Sequence, residues 1–304
     1  MVVYDLKTMQ KAEIKENTVV ALGTFDGCHL GHASVLRNAF YKAKELGHKS
    51  VAYTLDTGKA KGQALIMTLD EKIKAIKKFG IDYIALEELE NVRGLSGEEF
   101  VSEVLVASLG CVFATCGFNY RFGKDAGCDT ADLIRILEKS GGSVQISDKI
   151  MLDGTPVSST LIRGFIENGE IERMLSVSAP YSIYAQVERG KGLGAQHGFA
   201  TINQQIPKGK AVPRTGVYIT ECEIGEDVYP AITNVGFRPT TDGENSYLNV
   251  ETHIIGYAGD LYYSYLRVNF YKYLREEKKF SSLNELKLQI DRDKAEAVKY
   301  FRGH

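Results

Sequence analysis

The sequence predicts an α/β fold in which a doubly wound parallel sheet is followed by a small antiparallel β-barrel domain with a C-terminal helix. Three observations support this prediction. The first half alternates short apolar runs with amphipathic segments, as expected when helices connect the strands of a parallel sheet. The second half contains segments of alternating polarity separated by turn-rich loops, which is typical of antiparallel strands. One amphipathic helical pattern follows them.

The first half contains five predicted strands, each followed by a polar turn or a helical pattern. They cover residues 18–25, 50–55, 83–89, 111–120 and 143–147. Several of the intervening helical patterns end on a glycine, namely Gly47, Gly80, Gly110 and Gly141. Because glycine adopts the left-handed conformation without strain, we expect the helices to stop there. A last helix is predicted over residues 159–176.

The second half contains five predicted strands of alternating polarity. They cover residues 181–190, 215–225, 228–236, 247–257 and 260–275. A helix over 282–301 follows, with its leucines and Ile290 expected on one face. The pattern changes near residue 180, so we expect two domains, residues 1–180 and 181–304, and the chain of 304 residues is long enough for two cores.

Composition excludes several classes of partner. Lys and Arg number 37 against 39 Asp and Glu, so the charge pattern predicts no nucleic-acid or membrane partner. The sequence lacks a secretion signal and a long apolar run, and we expect a cytoplasmic protein.

The five cysteines of the sequence are scattered and are expected to be reduced thiols. Cys111 and Cys116, five positions apart, are expected on opposite faces of a strand. Nothing in the sequence indicates the oligomeric state.

The segment "VVALGTFDGCHLGH" joins the first predicted strand to the first helix. Ligands of open α/β sheets bind at the carboxyl ends of the strands, where a helix start offers N–H groups to phosphate. Gly23, Gly27 and Gly31 permit close approach of the backbone, and His29 and His32 lie about one helical turn apart. Two imidazoles there can donate hydrogen bonds to phosphate oxygens whose charge grows during nucleotidyl transfer.

Two other interpretations of this segment are weaker. A Walker A loop would need a Lys-Ser or Lys-Thr pair after the last glycine, and none is present. A His-x-x-His pair is common, and it can also be an accidental surface pair or part of a zinc site. No third zinc ligand stands nearby in the sequence. The glycine frame therefore favours phosphate.

Three ordered motifs of the first half resemble one protein family. "GTFDGCHLGH" is similar to the nucleotide-binding signature of the nucleotidyltransferase half of the bacterial riboflavin kinase/FAD synthetases. "GFNYRFGKDAGC" (117–128) resembles the flavin-side loop of that half, and "VSSTLIRG" (157–164) resembles its second phosphate-binding motif. The resemblance implies a nucleotidyltransferase-type sheet.

The second half resembles the kinase domain of the same family. The segments that carry this resemblance are "GFATIN" (198–203), "NVGFRPTTDG" (234–243), "NVETHI" (249–254) and "YLREEKKFSSLNELKLQIDRD" (273–293). The resemblance therefore covers nearly the whole chain. It implies a bifunctional enzyme that uses ATP, Mg2+, riboflavin and FMN and that produces FAD.

For adenylyl transfer from ATP to FMN, the resemblance implies roles for two sets of residues. His29 and His32 would stabilise the transferring and leaving phosphates. The residues that would frame the nucleotide within the same signature are Gly23, Phe25 and Gly31.

The two later motifs of the first half complete this implied site. Ser158, Ser159 and Thr160 would hold the triphosphate, and Arg163 would neutralise the charge on pyrophosphate. Asn119 would contact the flavin. Taken alone, "SSTLIR" is equally an ordinary helix cap followed by an amphipathic helix.

For riboflavin phosphorylation, the resemblance implies that Glu251 accepts the proton of the 5′-hydroxyl. Thr201 and Asn203 would hold magnesium and phosphate through hard oxygen ligands. The chain departs from the family pattern here, because Ala200 replaces a proline and Ile202 replaces a small residue. The loop "GKGLGAQHG" also lacks the usual charged residues. These departures predict a weak kinase.

One departure also affects the first half, since "YTLDTGKAKGQAL" stands where the family usually has a His-Pro pair. Lys59 or Lys61 is expected to supply the missing polar contact. Three alternatives stay open: a nucleotidyltransferase with another acceptor, a flavin-binding regulatory protein that has lost turnover, and an FMN adenylyltransferase whose kinase domain is degenerate. The barrel motifs argue against the first of these.

Overall fold

The computed structural model describes residues 2–5, 14–56, 63–189, 201–239 and 246–303. By their internal contacts the residues fall into two compact units. The first comprises Met1–Gln63 with Met67–Leu161, and the second comprises Ala64–Ile66 with Ile162–His304. The domain boundary near residue 180 stays a prediction.

The first unit contains a six-stranded sheet in the order β1-β4-β3-β2-β5-β6. Every pair of neighbouring strands is parallel, which confirms the predicted parallel sheet. The strands are β1 (Val2–Asp5), β2 (Thr18–Leu22), β3 (Lys49–Asp56), β4 (Tyr83–Glu88), β5 (Cys111–Gly117) and β6 (Ser143–Ser147). β1 was not predicted, and it lies at the edge of the sheet beside β4.

Helices connect these strands. They are α1 (Leu30–Leu46), α2 (Leu69–Lys77), α3 (Leu89–Val92), α4 (Gly97–Glu99), which continues as a π-helical segment (Phe100–Ser108), and α5 (Thr130–Lys139). A 3₁₀ turn covers Lys124–Ala126. The four predicted glycine stops have φ between 62° and 79°, which confirms their left-handed conformation.

Both faces of the sheet are covered by apolar cores. Val20 and Leu22 of β2 pack into one core with Leu105 and Leu137, whereas the alternate residue Val19 packs into a second core with side chains of α1 and α2. Alternate residues of a strand point to opposite faces. The sheet is therefore doubly wound, as the sequence predicts.

Cys111 and Cys116 lie in the same core, so the expectation of opposite faces was wrong. The register of β5 against β2 moves from Thr18↔Cys111 to Val19↔Phe113, with one residue of β5 left over. Such a bulge reverses the phase of a strand and brings residues of opposite parity to one face. All five cysteines are free thiols.

The helix predicted over residues 159–176 is divided in two. α6 (Ser159–Asn168) ends before Gly169, whose φ is 75°, and α7 (Ile171–Leu175) follows. The left-handed glycine breaks the hydrogen-bonding pattern between them. Two short strands, β7 (Met151–Leu152) and β8 (Thr155–Pro156), pair as a hairpin before α6.

The second unit contains a six-stranded antiparallel sheet in the order β10-β13-β12-β11-β14-β9. Its strands are β9 (Tyr181–Gln186), β10 (Thr201–Gln204), β11 (Gly216–Ile224), β12 (Asp227–Pro239), β13 (Ser246–Ile254) and β14 (Tyr265–Arg275). Glu188, just after β9, forms a bridge with Asn203 of β10, so the two edge strands meet. This closure confirms the predicted barrel.

The C-terminal helix α8 (Leu283–Arg302) packs on the barrel through Ile290 and Ala297. Leu283 and Leu288 are 50% and 60% exposed, so the prediction that all its leucines share the buried face was wrong. Arg275 of β14 forms a buried ion pair with Asp293 of α8 at 2.7 Å, which fixes the helix instead. In the described part of the chain, no helix is long and apolar enough to cross a bilayer.

Candidate functional site

A sharply bent loop joins the end of β2 to the start of α1. Three of its residues have left-handed φ angles: Phe25 at 50°, Gly27 at 88° and Cys28 at 38°. A residue with a side chain pays roughly 1–2 kcal/mol for this conformation. Backbone strain of this kind is concentrated at ligand sites, where the surrounding fold holds it in place. We refer to residues 23–32 as the signature loop.

His29 and His32 form one compact pair at the start of α1. His29 is the N-cap of the helix, and its Nδ1 accepts a hydrogen bond of 3.4 Å from the backbone N–H of His32. The two rings are stacked, with centroids 3.8 Å apart and planes 18° apart. The edge of Phe25 packs against His32 with a centroid distance of 5.4 Å. The structure therefore brings together the two histidines that the sequence indicates.

Burial keeps both imidazoles uncharged. It lowers the pKa of His29 to about 4. It also lowers the pKa of His32 well below its usual value, and His29 and Lys72 add to that effect. Nδ1 of His29 is a hydrogen-bond acceptor, so the proton of the neutral ring lies on Nε2. The ring can therefore donate a hydrogen bond from Nε2 without carrying a charge.

The second imidazole has one nitrogen out of reach of a ligand. Among the described residues, Nδ1 of His32 is buried and has no hydrogen-bond partner. His29 is also largely buried, since it is only 6% exposed.

Stability should fall at acid pH because of this burial. An unfolded imidazole titrates near pH 6.5, whereas folded His29 stays neutral down to about pH 4. Between these values the unfolded chain binds a proton that the folded chain does not, so the free energy of unfolding decreases as the pH falls. We expect His29 to account for a loss of about 2 kcal/mol at about pH 5 relative to neutral pH.

Urea unfolding of the wild type and of His29→Gln across this pH range measures the effect. The variant lacks the titrating ring, so its stability should depend less on pH between about 6.5 and 4. Equal pH dependence in the two proteins would contradict the assignment.

Two glycines of the signature loop make room for its own side chains. A Cβ on Gly23 would lie 2.9 Å from the ring of Phe25, and a Cβ on Gly31 would lie 3.2 Å from the ring of His29. Both distances are shorter than ordinary carbon contacts. Phe25 is completely buried and its ring contacts that of His32. The absence of a side chain at Gly23 and at Gly31 therefore allows the rings of Phe25 and His29 to take their observed positions.

The second phosphate-motif candidate begins α6. Ser158 Oγ accepts the N–H of Leu161 at 3.3 Å, which is an ordinary helix cap. Ser159 Oγ donates to the carbonyl of Asp26 at 2.8 Å and so joins this motif to the signature loop. Thr160 is exposed. Arg163 falls in the second compact unit, where its Nε donates to the carbonyl of Ala64 at 2.7 Å.

The flavin-side loop candidate follows β5. Asn119 is exposed in a turn closed by the bond from Tyr120 N–H to the carbonyl of Gly117 at 3.0 Å. Tyr120 stacks on Phe122 with a centroid distance of 5.9 Å, and Phe122 belongs to the apolar core. The aromatic residues of this loop therefore stabilise it, and Asn119 is one of its exposed polar groups.

A separate polar cluster lies on one face of the barrel. Asn203 of β10 is opposite Glu251 of β13 in register. Thr201 Oγ1 donates to Glu251 Oε1 at 2.8 Å, and Asn249 Nδ2 donates to Asn203 Oδ1 at 3.2 Å. Asn234 of β12 is opposite Glu251 on its other side. The three predicted residues of the kinase half, Thr201, Asn203 and Glu251, are therefore neighbours.

The donor set of this cluster fits magnesium. Thr201 and Asn203 offer a hydroxyl and an amide oxygen, the hard ligands that Mg2+ prefers. Across the described ranges no group of three His, Cys, Asp or Glu residues is placed to hold a metal ion. A magnesium ion here would take its remaining ligands from phosphate and water, as is usual for Mg2+ in phosphoryl transfer. Ile202 between them is buried, while Ala200 and the loop "GKGLGAQHG" lie outside the described residues.

Sequence reasoning did not assign roles to several residues of these sites. Asn234 and Asn249 lie within quoted motifs, and only the strand register reveals that they flank Glu251 and Asn203. Asp26, in the signature loop, accepts the N–H of Met67 at 3.0 Å. Lys72 is buried in α2, although its sequence neighbours gave no reason to expect this. Lys59 and Lys61 lie outside the described residues.

Comparisons with known proteins match both halves. A family model described as FAD synthetase matches residues 11–161, and one described as riboflavin kinase matches residues 177–301. These matches confirm the predicted combination of the two catalytic domains. A solved structure titled as a macrolide-efflux protein from Streptococcus pneumoniae has a TM-score of 0.86 at 24% identity, covering 97% of this chain and 98% of that one. It shows the shared fold.

Curated relatives span nearly the whole chain. The bifunctional riboflavin kinase/FMN adenylyltransferase of Pseudomonas fluorescens is 33% identical over 293 residues, covering 92% of this chain and 91% of the relative. The protein of the same name from Bacillus subtilis is 29% identical over 300 residues, covering 95% and 94%. This chain therefore belongs to the bifunctional riboflavin kinase/FMN adenylyltransferase family.

Proposed function

We propose that the first unit transfers the adenylyl group of ATP to FMN at the signature loop. The observation that carries this proposal is the stacked pair of uncharged imidazoles at the start of α1. A phosphate oxygen of FMN attacks the α-phosphorus of ATP, the bond to the β-phosphate breaks, and FAD and pyrophosphate result. The N–H groups of His29 and His32 and the helix start stabilise the charge that develops on the phosphates.

Other residues of the first unit hold the substrates in this proposal. Ser159 keeps the second phosphate motif on the signature loop, and Ser158 and Thr160 present hydroxyl groups at the start of α6. Asn119 is the polar contact of the flavin. Orientation of the two substrates contributes much of the rate, since no covalent intermediate with the protein is required.

The barrel phosphorylates riboflavin in the same proposal. Glu251 accepts the proton of the 5′-hydroxyl, whose oxygen attacks the γ-phosphorus of ATP and releases ADP. The hydrogen bond from Thr201 orients the carboxylate, and the bond from Asn249 orients the amide of Asn203. Magnesium, held through Thr201 and Asn203, would neutralise charge on the phosphates.

One incubation tests both reactions. The purified chain is supplied with ATP, magnesium and either riboflavin or FMN, and the flavins are then separated. FMN and FAD from riboflavin, together with FAD from FMN, are the expected products. Retention of bound flavin without any product would instead favour the regulatory alternative. FAD from FMN alone would limit the activity of this chain to adenylyl transfer.

A further inference from the structure

A lysine is buried at the carboxyl edge of the parallel sheet. Lys72, in the first turn of α2, is only 3% exposed. Its Nζ donates a hydrogen bond of 3.0 Å to the carbonyl of Leu55, near the end of β3. β3 is the neighbour of β2, which leads into the signature loop. Burial of an ammonium group costs several kcal/mol unless other groups compensate, so lysine is rarely found in such a position.

The start of α2 is attached to the signature loop. The backbone N–H of Met67 donates to the Asp26 carboxylate at 3.0 Å. The next residue, Thr68, caps the helix and forms a reciprocal capping box with Glu71. These bonds fix the first turn of α2, from which Lys72 extends, relative to the loop. The lysine is therefore held in place at both its backbone and its Nζ.

The charge of Lys72 affects two side chains of the loop. It contributes to the lowered pKa of His32, after burial and His29. It also opposes the rise in the pKa of the Cys28 thiol, which burial raises to about 12 and to which Asp26 adds. Thr54, the residue before Leu55, donates from Oγ1 to the carbonyl of Thr24 in the signature loop at 2.9 Å, so the bond from Lys72 to Leu55 places the ammonium near this loop. The two imidazoles of the loop are uncharged.

We propose that Lys72 is a positioning residue for adenylyl transfer, whose fixed ammonium offsets the negative charge of Asp26 in the signature loop and so favours binding of the polyphosphate of ATP at His29 and His32. The inference rests on the proposed placement of ATP at this loop. A neutral histidine pair supplies directional N–H donors but no long-range attraction. A cation held in a poorly solvated position supplies that attraction with little screening by salt.

Two substitutions at Lys72 separate its charge from its hydrogen bond. Lys72→Gln can still donate to Leu55 but carries no charge, and Lys72→Arg retains the charge. Lys77→Gln, at an exposed position of the same helix, is the matched control. We expect the KM for ATP in FAD formation to rise about tenfold or more in Lys72→Gln, with a smaller change in kcat. Lys72→Arg should stay within about threefold of the wild type, and Lys77→Gln should be unchanged.

A measurement on the wild type covers the case in which Lys72→Gln does not fold. The side-chain ¹⁵N signal of Lys72 should shift when ATP is added and should shift less with adenosine. The inference is overturned if Lys72→Gln keeps the wild-type KM for ATP, or if the KM rises as much in Lys72→Arg as in a folded Lys72→Gln. It is also overturned if the ¹⁵N signal of Lys72 does not shift when ATP is added. If His32→Ala also retains full FAD formation, the proposed adenylyl-transfer site is rejected together with the role of Lys72. An inactive His32→Ala beside a normal Lys72→Gln rejects only the role of Lys72.

Discussion

FAD formation from FMN should fall by about 10²-fold or more in His32→Ala, because removal of a preorganised donor to developing charge costs about 10²–10³ in rate. The variant loses the ring that stacks on His29 and contacts Phe25. The rate of FAD formation under saturating ATP and FMN, measured by separation of the flavins, gives the effect.

The partial burial of His32 requires a control for folding. Phosphorylation of riboflavin by the same preparation shows that the barrel, a separate compact unit, is intact, so the folding of the first unit is checked by thermal unfolding. A thermal melt of the variant gives the cost of the lost ring contacts. His32→Gln, whose amide can donate a hydrogen bond, should retain more activity than His32→Ala. FAD synthesis at the wild-type rate in His32→Ala would remove the histidine pair from the mechanism.

Glu251→Gln should reduce riboflavin phosphorylation by about 10²–10⁴-fold, the usual contribution of a general base. Glutamine has nearly the same size, so the bond from Thr201 can persist while the proton acceptor is lost. FAD synthesis from FMN in the same variant should be unchanged, since it depends on the first unit. Separate assays with riboflavin and with FMN as the starting flavin measure the two rates.

A second variant in the polar cluster separates loss of the proton acceptor from loss of a hydrogen bond that orients the cluster. Asn249→Asp keeps an oxygen near Asn203 but cannot supply the amide donor that orients it. It should lower kinase activity less than Glu251→Gln does, and the loss should depend on the magnesium concentration. Undiminished FMN formation in Glu251→Gln would assign the base to another group.

The sequence by itself determined the strand–helix alternation, the change to antiparallel strands and the position of the signature loop. These features depend on local patterns. The two periods of apolar residues separate strands from helices, and the glycines at helix ends, such as Gly47 and Gly80, stop helices through their own backbone freedom. The pair His29 and His32 was also identified from spacing, because residues three apart at a helix start are neighbours.

Only the tertiary structure decided the features that depend on partners distant in sequence. A bulge against β2 places Cys111 with Cys116, and no property of the segment itself announces the shift. The strand register places Asn203 and Asn234 on either side of Glu251. The sequence around Lys72 is typical of an exposed helix position. Packing of α2 against the sheet nevertheless buries its ammonium near the signature loop. Burial and charge proximity arise when separate segments meet, so the pKa values of His29 and His32 could be known only from the fold.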